Sequence, residues 1–109
     1  MGFFKNVHKV VSYIPEGRVM SFVDIATATT TATLLMGFVG FAMKFCPNEY
    51  PWHRVVKNDG RLTMGDMQLL LLRKENVPFD DYGVDINKCK VYPAEMRLIM
   101  DKIVELANQ

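Results

Sequence analysis

From Leu34 to Met43 the chain reads Leu-Leu-Met-Gly-Phe-Val-Gly-Phe-Ala-Met, and no charge interrupts it before Lys44. This run constrains the fold more than any other segment. It is far shorter than the ~20 residues that a bilayer span requires, so no membrane partner is expected. A helix apolar on every side is normally buried, and the segment, closed by Pro47, therefore predicts a helix that other elements cover. With one side left open it would instead form a protein-contact patch. A chain of 109 residues, 50% of them apolar, has material for one domain and is too apolar for disorder.

The rest of the chain can be read around that helix. Phe3, Phe4, Val7, Val10, Val11 and Ile14 recur at three- and four-residue spacing, which predicts an amphipathic helix over 2–14. Pro15-Glu16-Gly17 ends it in a turn. Ser21, with Asp24 three residues on, has the pattern of a capping box for a short helix through about Thr27. The threonine-rich stretch Thr27–Thr33 predicts a turn, because threonine favours caps over helix interiors. Val55-Val56 and Arg61-Leu62-Thr63, on either side of Lys57-Asn58-Asp59-Gly60, predict a hairpin turning at Asp-Gly. A helix is expected over Met67–Glu75 with Leu69–Leu72 largely buried, then a mixed extended or looped region over 77–92. Pro93 followed by Met96, Ile99, Met100, Ile103 and Ala107 marks a final amphipathic helix. The expectation is a mainly α fold with a small β-hairpin, a winged helix-turn-helix-like domain over 1–92. An extra C-terminal helix, 93–109, packs on the same domain.

The formal net charge is +1, unevenly distributed. Residues 1–64 hold seven Lys and Arg against four Asp and Glu, while residues 65–109 hold six against eight. The first half is compatible with a nucleic-acid face but does not by itself establish one. Cys46, Cys89 and two histidines at unrelated spacings make neither a disulfide framework nor a metal site, so no metal or cofactor is expected. No secretory signal opens the chain, which points to a reducing cell interior.

Pro51-Trp52-His53-Arg54-Val55-Val56, followed by Gly60-Arg61-Leu62, closely resembles the Pro-Cys-His-Arg-Val motif of the O6-alkylguanine-DNA alkyltransferases, with Trp at the acceptor cysteine. Other pieces follow in family order. Ile14-Pro15-Glu16-Gly17-Arg18-Val19-Met20-Ser21-Phe22 resembles Ile-Pro-x-Gly-x-Val-x-Ser-Tyr, and Asp24-Ile25-Ala26 continues it. Val39-Gly40-Phe41-Ala42-Met43 is similar to the end of the family's recognition helix, and Leu71-Leu72-Arg73-Lys74-Glu75-Asn76-Val77 to its Leu-Leu-x-x-Glu-Gly-Val. The resemblance covers roughly residues 3–92. Pro-Trp-His-Arg points to the alkyltransferase-like branch, which binds alkylated guanine without removing the alkyl group.

The chemistry of these residue types agrees. Alkyl transfer needs a thiolate activated by a base, and an indole is no substitute. Cys46 lies six residues before Trp52, and Cys89 lies far downstream. The resemblance places His53 and Glu75 at the family's proton-relay positions, where without a nucleophile they would hold the loop in shape, and makes Arg54 a tie between loops. No catalytic residue and no enzymatic activity are expected.

The resemblance therefore implies a non-catalytic reader of O6-alkylguanine in double-stranded DNA that flags lesions for nucleotide excision repair proteins. The O6 edge is stacked inside the duplex, so the base must be flipped out, here against Trp52. The family flips through the minor groove, with an Arg filling the vacated stack and a Tyr helping to turn the phosphate. In this chain those positions are Gly37 and Phe22, the usual Asn after the recognition helix is Cys46, and the usual Lys before Leu-Leu is Gln68. Met36 or Phe38 can act as apolar wedges instead. The DNA- or lesion-facing candidates are Phe22, Met36, Gly37, Lys44, Trp52, His53, Arg54, Val55 and Gly65, supported by Pro51 and Glu75. An alternative is a diverged relative with weak or no DNA binding that works through protein contacts of the apolar helix or the C-terminal helix. A third is a thiol enzyme pairing Cys46 with His53. A monomer is expected, cytoplasmic, or nuclear in a eukaryotic cell.

Overall fold

Helix α1 (Phe3–Ser12) forms where the apolar spacing predicts it, and Val7, Val10 and Val11 on its inner face are completely buried. The computed structural model describes residues 2–29 and 36–108, with only the backbone of Met36 and Ala107. Beyond α1 the chain turns at Gly17, whose φ of +80° is the left-handed conformation that glycine adopts without strain. Strand β1 (Met20–Ser21) leads directly into α2 (Phe22–Ala28). The expected capping box is present: the Asp24 N–H donates to Ser21 Oγ at 3.2 Å, and the Ser21 N–H to Asp24 Oδ2 at 3.5 Å. Helix α2 runs through Thr27 to Ala28, so the threonine stretch begins inside a helix. Residues 30–33 of the expected turn lie outside the described residues.

Helix α3 (Met36–Met43) packs on α1 and α2, its predicted start at Leu34 and Leu35 lying outside the described residues. It is not covered on all sides. Val39 and Ala42 are completely buried in the core that α1, α2 and α3 share, but Phe38 is 56% exposed and Phe41 49%. Helices α2 and α3 pack together as the expected helix pair, the connection between them lying outside the described residues.

The expected hairpin is not formed. After a 3₁₀ turn at Trp52–Arg54, strand β2 (Val55–Val56) pairs in parallel with β1, Met20 opposite Val55 and Ser21 opposite Val56. Both valines are fully buried, so the strand is held from the core rather than from a local partner. The Asp59-Gly60 turn is present and closed by Lys57 N–H to Arg61 C=O at 3.0 Å. Beyond it the Thr63 N–H donates to the Gln68 side chain and not to a ladder. The Gly60 carbonyl instead accepts from the Val84 N–H at 2.9 Å, and a Cβ on Gly60 would sit 2.2 Å from the Val84 oxygen. The wing is therefore a turn pressed against residues 83–84.

Helix α4 (Gly65–Lys74) buries Gln68 and Leu72, whereas Leu70 is 49% exposed. Four consecutive leucines span more than a full turn, so a helix lying on a surface cannot bury them all. The chain then leaves α4 through Asn76, at φ +60°, with the Asn76 N–H bonded to Arg73 C=O and the Val77 N–H to Leu72 C=O. This is a Schellman stop in which Asn replaces the usual glycine. The region 77–92 contains one short helix, α5 (Ile86–Cys89), and a bridge between Phe79 and Val84. Val77, Val84 and Cys89 form a second core with Val19, Val56 and Leu72. Helix α6 (Pro93–Ala107) begins at Pro93 as expected, and Ile99 and Ile103 bury against the first core.

Candidate nucleic-acid interface

Two side chains of α4 determine the shape of the Pro51–Val56 loop. Gln68 is completely buried beneath it; its amide nitrogen donates to the carbonyls of His53 (3.1 Å) and Val55 (2.7 Å). Its Oε1 accepts the N–H groups of Thr63 (3.2 Å) and Met64 (3.0 Å), so one amide ties the loop, the residues after the wing and α4 together. In the sequence Gln68 stands out only as a departure from lysine. The available signal was its seven-residue spacing from Glu75, which puts Gln68, Leu72 and Glu75 on one face of α4.

Glu75, at the end of α4, is the second anchor. Its carboxylate accepts from the Gly17 N–H at 2.8 Å, from His53 Nε2 at 2.5 Å, and from Arg54 Nε and Nη2 at 3.0 and 2.9 Å. The remaining Arg54 Nη1 donates to the Ile14 carbonyl at 2.7 Å. Burial alone would raise the Glu75 pKa. The hydrogen bonds from Arg54, Gly17 and His53, with the Arg54 charge, outweigh that and lower it to about 2. The carboxylate is therefore ionised at neutral pH, and Arg54 connects the loop to the α1 turn.

The predicted site residues fall into distinct groups. Trp52 packs partly buried against the first core and, with His53, Arg54, Tyr50, Asn48 and Leu71, lines an open hollow of about 440 Å³. That lies within the ~300–1,000 Å³ of ligand sites. The Trp52 and His53 rings meet edge to face at 6.0 Å. Phe22 and Lys44 line a separate hollow of about 260 Å³ with Gly40, Met43, Thr63 and Met64. The Phe22 ring packs where Gly40 lacks a side chain; a Cβ there would lie 3.5 Å from the ring. Gly65 follows Met64 at φ +79° in open space, and Gly37 is exposed, with nothing among the described residues within 4 Å of a Cβ. The Met36 side chain lies outside the described residues. Val55 is fully buried in β2, and its carbonyl accepts from the Gln68 amide.

Neither cysteine has the environment of a nucleophile. Burial, reinforced by Glu49, pushes the Cys46 thiol up to about 11. Burial and Asp85 push Cys89 to about 11 against the opposing charge of Arg18. At neutral pH such a thiol is well under ~1% thiolate. The partner of the His53 ring is Glu75 and not Cys46.

Fold and loop together define a helix-turn-helix domain whose Pro-Trp-His-Arg loop is clamped to the C-terminal end of α4. A model of the family described as "6-O-methylguanine DNA methyltransferase, DNA binding domain" matches residues 2–77. The chain belongs to that family. Its fold is similar to the S. pombe Atl1 structure in complex with damaged DNA containing O6-carboxymethylguanine, at 27% identity and TM-score 0.73, over 84% of this chain and 95% of that one. It is also similar to S. pombe ATL in complex with DNA, at 25% identity and TM-score 0.71, with the same coverage. No curated protein sequence matches the chain. No helix among the described residues is long and apolar enough to cross a membrane.

Proposed function

We propose that this protein binds O6-alkylguanine in double-stranded DNA, turns the base out against Trp52, and leaves the alkyl group in place. The observation that carries the reading is the loop itself. It holds His53 and Arg54 on Glu75, yet presents an indole where alkyl transfer needs a thiolate. A similar fold bound to O6-carboxymethylguanine DNA supports the choice of ligand. A protein that marks a lesion without repairing it must hand it on, and nucleotide excision repair proteins are the partners this reading assigns. Such a protein acts as a monomer on DNA, in the cytoplasm or, in a eukaryote, the nucleus.

The test pairs binding with mass. Incubated with O6-methylguanine duplex, the protein should retard it more strongly than the unmodified duplex, and its intact mass should not change. A stoichiometric gain of one methyl group, on Cys46 or Cys89, would overturn the non-catalytic reading. Equal retardation of both duplexes would overturn lesion recognition.

A further inference from the structure

The outer face shared by α1 and α3 carries more exposed aromatic surface than the fold requires. Phe4 of α1 stacks on Phe45, just beyond α3, at 5.7 Å and 20° between planes. Phe41 meets both edge to face, at 5.6 Å from Phe4 and 5.4 Å from Phe45. Phe45 is 58% exposed and Phe41 49%, so these rings form an open cluster and not a core. The two helices are fixed to one another beneath it, His8 Nε2 lying 2.8 Å from the Ala42 carbonyl oxygen. The face is therefore a rigid platform.

Lysines lie beside the cluster. Lys44 lies over the Phe41 ring at 5.8 Å. Lys5 and Lys9, with His8, Pro47 and Tyr50, line an adjoining hollow of about 380 Å³. Neither α1 nor α3 contains an Asp or Glu; the nearest carboxylates in sequence are Glu16 beyond α1 and Glu49 beyond Pro47, both exposed. Exposed ring faces interleaved with ammonium groups match a chain of unpaired bases joined by phosphates, since bases stack on aromatics and phosphates pair with lysines. Duplex DNA offers no free base faces, so the ring cluster selects a single strand.

We propose that the α1–α3 face is a stacking platform for single-stranded nucleic acid, with Phe45 and Phe41 contacting bases and Lys5 and Lys9 contacting phosphates. This site adjoins the Trp52 hollow through Tyr50, but it does not depend on lesion recognition.

The experiment titrates fluorescein-labelled oligo-dT and oligo-U with the full chain and follows anisotropy across a salt series. The platform predicts binding that weakens steeply with salt. Phe45→Ser should weaken it roughly tenfold, within the range for loss of one stacking ring. The Lys5→Gln, Lys9→Gln pair should reduce the salt slope by about one or more. The arms separate the sources, because stacking serves both strands and only a 2′-hydroxyl contact makes oligo-U the tighter ligand. Phe45 is 58% exposed, so Phe45→Ser should lower the melt only slightly and leave the chain folded, and the lysine pair gives a second, independent readout. Absence of oligo-dT and oligo-U binding by the folded protein at low salt overturns the proposal, as does binding indifferent to Phe45. A concentration-dependent dimer that Phe45→Ser dissociates, with no oligonucleotide bound, also overturns it and assigns the face to a second copy. Lesion reading is measured on duplex through Trp52 emission, so either claim can fail while the other stands.

Discussion

Glu75→Gln removes the charge on which Gly17, His53 and Arg54 converge while keeping the size of the side chain. The carboxylate is 9% exposed, so solvent screens it little. Its pKa, held at about 2 against an ordinary 4.5, gives the order of magnitude. At about 1.4 kcal/mol per unit, the folded state favours the ionised form by on the order of 3 kcal/mol. Because the folded value lies below the unfolded one, this stability is complete above about pH 5 and is lost as pH falls toward about 2. At neutral pH the variant also leaves Arg54 half-buried without its counter-charge. The expected loss is ~2–4 kcal/mol, or roughly 10–20 °C in Tm for a chain of this size. Thermal unfolding followed by circular dichroism, from neutral pH down to about pH 3, measures it. The difference between wild type and variant should narrow as the medium becomes more acid. A neutral-pH loss below about 1 kcal/mol, or a difference that does not change with pH, refutes the reasoning.

Gly37→Arg should leave the melt unchanged or slightly raised, because the position is open and Arg is the better helix former by several tenths of a kcal/mol. The same variant should tighten binding to lesion duplex by filling the vacated stack; a collapsed melt without tighter binding contradicts α3 as the DNA-facing helix. Gln68→Ala leaves the His53 and Val55 carbonyls and the Thr63 and Met64 N–H groups without their partner. Urea unfolding should show a loss of ~2–5 kcal/mol, since each buried unpaired group costs ~1–3 kcal/mol, and a near-neutral variant would show that the clamp is dispensable.

Features set by neighbouring residues were legible in the sequence. The α1 stripe, the Ser21 capping box and the Pro93 helix start depend on contacts within a turn or two, and all three are present. The hairpin was misread because Asp-Gly specifies a turn but not a strand partner. β2 finds its partner in β1, thirty-five residues earlier, through burial that no local pattern encodes. The exposure of Phe38 and Phe41 was hidden for a related reason: a helix apolar on every side carries no periodicity to show which side faces out. In the candidate site, Trp52, His53 and Glu75 were legible through resemblance, and the structure joins His53 to Glu75. Gln68 was not, because its role consists of bonds to four backbone groups that only the folded chain brings together.

Trp52 is the only tryptophan, so its fluorescence reports the proposed pocket without a label. The most direct measurement titrates the protein with O6-methylguanine duplex and with unmodified duplex of the same sequence, following Trp52 emission. The account predicts a larger, saturable change with the lesion. It also predicts that Trp52→Ala, followed by competition, loses selectivity by the ~1–3 kcal/mol typical of one stacked base. Identical emission changes with both duplexes, or none at saturating DNA, would contradict it.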